Sequence, residues 1–387
     1  MDKLYIDVST LQESQYTGIP MVTARLCAEA LGDASVEPAF FFGRYEISAQ
    51  AVEALLGGGF GRLFAWSVGC YRFAPCLPEI DTGRRVYGLH TNSKLVRRMF
   101  PVEGSIVHDL TTVVCPQYHN KDTNQYHNQR WLGDLMSDDI IFAASHSTAT
   151  DIRTFFPETS ATPIVVTHWG VDWSHIDASK NEPDPVEPYI LVLGTLEPRK
   201  NLNVMLDLLE AHPQIARMYR IVISGRFGWG DKLETHLKAR GLGSLVAAGR
   251  IVQAGFVSET AKFALLRNAA ALVYPSVYEG FGLPVAEAIS LGVPVVTTAA
   301  SSLPEVGGDF AFYFDGETVT SLLAALTAAL QQRRVLTGRS GESLEEWKAR
   351  FSWARAYRLI RDGFMALPNA HLSTKNQRTS NITQAVS

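Results

Sequence analysis

The chain has 387 residues, 46% hydrophobic and 19% charged, which is length for about two domains each with its own core, and this excludes a small single module or a disordered chain. Thirty-five lysines and arginines face 39 acidic residues for a net charge of -4, so the chain lacks the overall basic footprint of a nucleic-acid binder. The cysteines Cys27, Cys70, Cys76 and Cys115 form no CxxC pair and no regular spacing, which argues against a disulfide framework or a zinc site and suits a reducing compartment.

The start, MDKLYIDVS, carries Asp2 and Asp7 beside its apolar residues and does not read as a signal peptide. The longest helical apolar stretch, 261–277, holds Lys262 and Arg267 and is shorter than the roughly 20 residues of a spanning helix. Short apolar runs alternate with segments of helical period, the pattern of an α/β protein with parallel sheets. A strand at Leu4 to Val8 leads through a loop at Gly18 into a helix opened by Pro20 and closed by Gly32. Further strands are predicted at Ala39 to Phe42, Arg85 to Gly88, Ser105 to Val107, Asp139 to Ala144 and Pro163 to Thr167. Residues 177–188, DASKNEPDPVEP, are rich in proline and acid and read as a linker.

Beyond the linker the alternation resumes. Strands are predicted at Tyr189 to Gly194, Tyr219 to Gly225, Arg250 to Ala254, Ala271 to Tyr274 and Val295 to Thr297. Helices are predicted from Asn203, at Lys232 to Arg240, Glu259 to Ala269, Pro284 to Leu291 and Val319 to Gln332. Residues 344–366 read as one amphipathic helix carrying Trp347, Phe351, Trp353 and Tyr357. Residues 369–387 are polar and are expected to be a disordered tail. The simplest arrangement is two Rossmann-like domains, 1–176 and 189–343, with the ligand site in a cleft where the carboxyl ends of both sets of strands meet.

The chain holds no complete GxGxxG, GxSxG or HExxH, and in GRFGWGDK (225–232) Asp231 takes the place of a phosphate-binding lysine. No two aspartates are separated by one residue, so a DxD metal clamp is missing and no metal is expected. The most informative stretch is YPSVYEGFGLPVAEAISLGVP, Tyr274 to Pro294. A strand ends, a glycine loop follows, and Pro284 opens a short helix, so the backbone of Gly280, Phe281, Gly282 and Leu283 can cradle a diphosphate. Glu279 and Glu287 stand seven residues apart; one carboxylate can hold ribose hydroxyls while the other meets a sugar, and either glutamate alone would read as a solvated surface residue.

This stretch resembles the motif of the family 4 retaining glycosyltransferases of the GT-B fold. IDVSTLQESQYTGIPMVTARL, IVHDLTTVVCP, IIFAASHSTATDI, ILVLGTLEPRKNLNVML, RIVQAGFVSETAKFALLRNAAALVYPS, TTAASSLPEVGGDFAFYFD and FSWARAYRLI resemble other family segments, in order, over about residues 3–366. The resemblance implies two Rossmann-like domains facing a cleft, with a nucleotide-sugar-binding C-terminal domain, an acceptor-facing N-terminal domain, and the 344–366 helix packing back across them. It implies metal-independent hexosyl transfer without a cofactor. Arg199 and Lys200 in GTLEPRKN would neutralise the departing diphosphate, although Thr195 follows Gly194 where some members place an arginine. His108 would lie by the donor sugar, Gly18 would approach the diphosphate when the cleft closes, and the backbone at Phe256 and Val257 would read the base, which is compatible with simple core packing of their side chains. Glu279 would contact the sugar and Glu287 the ribose.

Retention without an evident carboxylate nucleophile implies front-face substitution. The motif set is most similar to bacterial mannosyltransferases of surface polysaccharide assembly, which implies GDP-mannose as donor, a glycan or polyprenyl-linked glycan as acceptor, and a cytoplasmic protein peripheral to the inner face of the membrane. Seven basic residues in 51–100 (Arg62, Arg72, Arg84, Arg85, Lys94, Arg97 and Arg98), near Phe60, Phe64, Trp66, Tyr71 and Phe73, suit an anionic membrane surface or an ordinary solvated face. A GT-B-fold epimerase, a phosphorylase and a non-catalytic scaffold are the alternatives.

Overall fold

The computed structural model of the chain describes residues 1–13, 16, 18–57, 84–176, 187–195, 197–225 and 233–368. Most of the expected linker, the tail from 369, and Arg62, Arg72 and their aromatic neighbours lie outside the described residues. The chain forms two compact units, one of residues 1–114, 119–170 and 353 onward, the other of 115–118 and 171–352.

The first unit is built on a seven-stranded sheet of β1 (Lys3–Asp7), β2 (Glu37–Phe42), β3 (Tyr45–Ile47), β4 (Val86–His90), β5 (Val102–Val107), β6 (Ile140–Ala143) and β7 (Ile164–Val166). Its order is β3-β2-β1-β4-β5-β6-β7, parallel except for β3, which runs antiparallel to β2 at the edge. β4, β5 and β6 are buried along their whole length, as expected of strands covered on both faces. The helix Ile19–Leu31 follows β1, with Pro20 in its first turn.

The second unit holds β8 (Tyr189–Leu193), β9 (Arg220–Ser224), β10 (Ile251–Gly255), β11 (Ala271–Tyr274), β12 (Val295–Thr298) and β13 (Ala311–Phe314), all parallel, in the order β10-β9-β8-β11-β12-β13. Ile190, Val192, Ile221, Ile223 and Val273 from the strands form one apolar cluster with Met205, Leu208 and Leu209 of the helix Leu202–Ala211 and Leu322 and Leu326 of the helix Val319–Leu330. At the carboxyl ends of β8 and β9 the backbones crowd together, and a Cβ on Gly225 would stand 1.7 Å from the Gly194 carbonyl oxygen, so only glycine fits.

Segment 344–366 is two helices and not one. Leu344–Arg350 starts with a capping box between Ser343 and Glu346 and belongs to the second unit, where Trp347 donates its indole N–H to the Val306 carbonyl at 2.9 Å. Phe351 leaves helical geometry (φ -112°, ψ 63°), and Trp353–Met365 belongs to the first unit. There it packs on the helix Ile19–Leu31 and on β6 and β7, with Phe364 against Tyr87 and Phe142. The apolar period is continuous across the break, which is why the sequence reads as one helix.

Candidate active site at the carboxyl ends of β8 and β11

In the second unit the chain runs outward in opposite directions from β8, through β9 and β10 on one side and β11 onward on the other, so β8 and β11 flank a topological switch point. Open α/β sheets bind ligands at the carboxyl ends of such strands. Arg199 and Lys200 follow β8, Tyr274 ends β11, and Glu279 lies in the loop after it.

These four residues meet. Lys200 Nζ donates to Glu279 Oε1 and to the Tyr274 hydroxyl, each at 2.6 Å, and that hydroxyl donates to the same Glu279 oxygen at 2.9 Å. Arg199 Nη1 lies 3.1 Å from Glu279 Oε2 and donates to the Tyr278 carbonyl at 2.5 Å, while Nη2 pairs with Glu197 at 2.6 Å. Burial by itself pushes the Glu279 carboxyl up, but the charges of Lys200 and Arg199 and hydrogen bonds from Lys200 and Ser276 outweigh it and hold it at about 2. Burial lowers the Lys200 ammonium from its usual range, opposed by Glu279. Glu279 is therefore an anion held between two cations. The loop is anchored from behind: the Glu279 amide donates to Ser301 Oγ at 2.7 Å, and Ser302 donates to the Glu279 carbonyl at 2.9 Å.

Gly282 caps the helix Leu283–Ser290 in the left-handed region (φ 100°), and a Cβ there would stand 2.8 Å from Leu303. Glycine is thus required for the turn between Glu279 and the helix. Gly280 and Phe281 are buried; the Phe281 ring packs at 5.9 Å from Phe351, so that residue offers a ligand its backbone and not its ring. Leu283 is half-buried at the first helical position.

Glu287 lies further along that helix and pairs with Lys262 at 2.5 Å. Lys262 also sits 5.4 Å over the ring of Trp173, whose indole N–H donates to Ser290 at 2.9 Å. Phe256 and Val257 follow Gly255 (φ 65°) at the end of β10. Phe256 is 41% exposed and Val257 half-buried, so the Phe256 side chain is not part of the core.

His108 and Gly18 belong to the first unit. His108 follows β5, and its Nε2 lies 2.8 Å from the Thr91 carbonyl, which assigns the ring proton to Nε2 and leaves Nδ1 as an acceptor. Burial lowers its pKa, against the Thr91 carbonyl and Asp109, so the imidazole is neutral. Gly18 caps the helix after β1 with φ 57°, a conformation that requires glycine even though a Cβ would meet open space.

Among the described residues of the basic stretch, four of the cations are paired with carboxylates. Lys94 is completely buried between Glu103 and Asp138, and Arg84, Arg85 and Arg97 pair with Glu37, Asp2 and Asp134. Residues that sequence reasoning did not single out as site members are Tyr274, Glu197, Ser301, Lys262 and Trp173. Tyr274 and Ser301 stand within quoted motifs, but nothing local shows that they converge on Glu279.

Two Rossmann-like sheets, with cations and a glycine-capped helix gathered at a switch point of the second, define the GT-B architecture. Residues 175–349 match the family model described as Glycosyl transferases group 1. It is 34% identical over 258 residues to O-antigen chain mannosyltransferase B of Escherichia coli, covering 64% of this chain and 65% of that one, so it spans just under two thirds of this relative. Among solved structures, sucrose-phosphate synthase (tll1590) from Thermosynechococcus elongatus matches with a TM-score of 0.64 at 16% identity, over 95% of this chain and 100% of that one. Anabaena Alr3699/HepE in complex with UDP and glucose matches with a TM-score of 0.60 at 15% identity, again over 95% and 100%. Among the described residues no helix is long and apolar enough to cross a membrane.

Proposed function

We propose that the chain is a retaining hexosyltransferase that moves mannose from GDP-mannose to a glycan or polyprenyl-linked glycan in cell-surface polysaccharide synthesis. The observation that carries this reading is the Arg199, Lys200 and Glu279 cluster beside the glycine-capped helix, at the switch point of a group 1 glycosyltransferase domain. Similarity to an O-antigen mannosyltransferase supports the choice of mannose.

In this reading the diphosphate lies against the Gly280 to Leu283 backbone. Two of the three ammonium donors of Lys200 serve Tyr274 and Glu279, and the third meets the phosphate. Arg199 adds a second charge-assisted donor, each such bond contributing about 1.5 to 3 kcal/mol. The bond from the anomeric carbon to the phosphate oxygen breaks, and the acceptor hydroxyl attacks from the same face. Its proton passes to the departing phosphate oxygen, so GDP leaves and configuration is kept. Glu279, ionised between its cations, orients the sugar, and Glu287 holds the ribose. His108 accepts a sugar hydroxyl at Nδ1, Gly18 meets the diphosphate, and the backbone at Phe256 and Val257 reads the base.

Thermal unfolding with a panel of nucleoside diphosphates and their sugars tests this. GDP and GDP-mannose should stabilise the protein by about 2.7 kcal/mol at a hundredfold excess over Kd. A selective UDP response would overturn mannose transfer from GDP-mannose, and no response to any nucleotide would overturn the transferase reading.

A further inference from the structure

The helix Leu283–Ser290, which starts from the glycine loop, packs on the helix Glu259–Arg267, and both belong to the second unit. The Ser258 hydroxyl caps the latter by accepting the Ala261 amide at 3.2 Å, which puts Lys262 in its first turn. A cation there is opposed by the helix dipole, so partners outside the helix must hold it. Glu287 is one: Lys262 Nζ donates to its Oε1 at 2.5 Å, with the two side chains 21% and 13% exposed. The ring of Trp173 is the other, 5.4 Å from the ammonium.

Trp173 is itself fixed on both helices. Its ring packs on Phe263 at 5.3 Å, and its indole N–H donates to Ser290 at 2.9 Å. The Ser290 hydroxyl donates to the Glu287 carbonyl at 2.7 Å, which closes a circuit that begins and ends at Glu287. Trp173 thus joins the two helices whether or not the ion pair is made. What the pair adds is one fixed direction for the Glu287 carboxylate, so that its rotamer freedom is spent before any ligand arrives.

We propose that Lys262 is a positioning residue of the donor site: seated on Trp173, it holds the Glu287 carboxylate in the direction that accepts the vicinal hydroxyls of the donor's ribose. A carboxylate only accepts hydrogen bonds, which matches a pair of hydroxyl donors. The ribose as ligand rests on the transferase reading above; the preset carboxylate rests on the circuit.

The test is the ratio of the dissociation constants of 2′,3′-dideoxy-GDP and GDP, measured by calorimetric titration of the full chain. Wild type should favour GDP by about tenfold or more, as expected of hydrogen bonds to a charged acceptor. Lys262→Met keeps a stem over Trp173 and removes the charge. It should lower the ratio by about two- to tenfold, the cost of ordering one side chain on binding, and leave the affinity for the dideoxy analogue nearly unchanged. Lys262→Arg should restore most of the ratio. Melting without ligand shows whether Lys262→Met is folded; if it is not, Lys262→Gln is compared in its place. A merely structural role would weaken both ligands alike and keep the ratio. An unchanged or raised ratio therefore overturns the proposal, as does a ratio that Lys262→Arg leaves as low as Lys262→Met does. A wild type that does not distinguish the two ligands overturns the ribose role of Glu287 and the proposal with it. If the chain binds UDP and not GDP, UDP and its dideoxy analogue serve in the same comparison, and binding of neither overturns both readings.

Discussion

Each unit buries a lysine among carboxylates, and the two clusters are built for different ends. Lys94 Nζ lies 2.7 Å from Glu103, Asp138 and Ser137, all in the first unit, and the Lys94, Glu103 and Asp138 side chains are 0% exposed. Glu103 also accepts the amides of Arg98 and Met99, and Asp138 accepts the Ser105 hydroxyl. Lys200 shares Glu279 with Arg199 and Tyr274, and its side chain is 17% exposed. The first cluster ties a loop to the amino ends of β5 and β6; the second sits at the carboxyl ends of β8 and β11. Burial and ion pairing therefore do not mark a site by themselves. Position at the carboxyl ends and partial exposure of the cation are what distinguish the proposed donor site.

The largest expected effect is on stability in the first cluster. Lys94→Met strands two buried carboxylates and should cost about 3 to 5 kcal/mol in denaturant unfolding, with turnover per folded molecule retained. Equal loss of turnover and stability would dissolve the distinction. Lys200→Ala should do the reverse, lowering release of GDP from GDP-mannose by about 10² to 10³-fold with a smaller change in unfolding. Glu287→Ala should next remove most of the GDP-induced rise in Tm, and an unchanged rise would take Glu287 out of the donor site.

The smallest effects are in pH dependence, and Asp138 and Glu279 should differ in sign. Burial pushes Asp138 up to about 7, against the opposing pull of Lys94 and the Ser105 hydroxyl. Its contribution to stability is full below the ordinary value of 3.8 and is lost as pH rises through 7, so Asp138→Asn should flatten stability across that window. Glu279, at about 2, contributes fully above 4.5 and loses its contribution as pH falls through 2. Glu279→Gln should therefore alter the acid side of the unfolding profile and leave the neutral range unchanged in slope.

Both sheets were largely legible because buried parallel strands are short β-branched runs between glycine and polar turns, as in YILVL and ALVY. The antiparallel β3 and the terminal β13 were not read as strands; β3 has three residues and exposes Tyr45, so neither length nor alternation reveals it. Arg199, Lys200 and Glu279 stood out because their motifs carry them at strand ends. In the sequence Lys94 reads as a surface cation because its burial depends on Glu103 and Asp138, which only the folded sheet brings to it. The break at Phe351 is hidden in the sequence for a similar reason, since aromatic residues continue at helical spacing while their partners change from one unit to the other.

Amide hydrogen exchange with and without saturating GDP tests the central claim most directly. GDP should slow exchange in 197–202 and 279–287 and leave 94–103 unchanged, since only the first two segments border the cations at the switch point. Protection in 94–103, or none in 279–287, would contradict the assignment of donor binding to the carboxyl ends of β8 and β11.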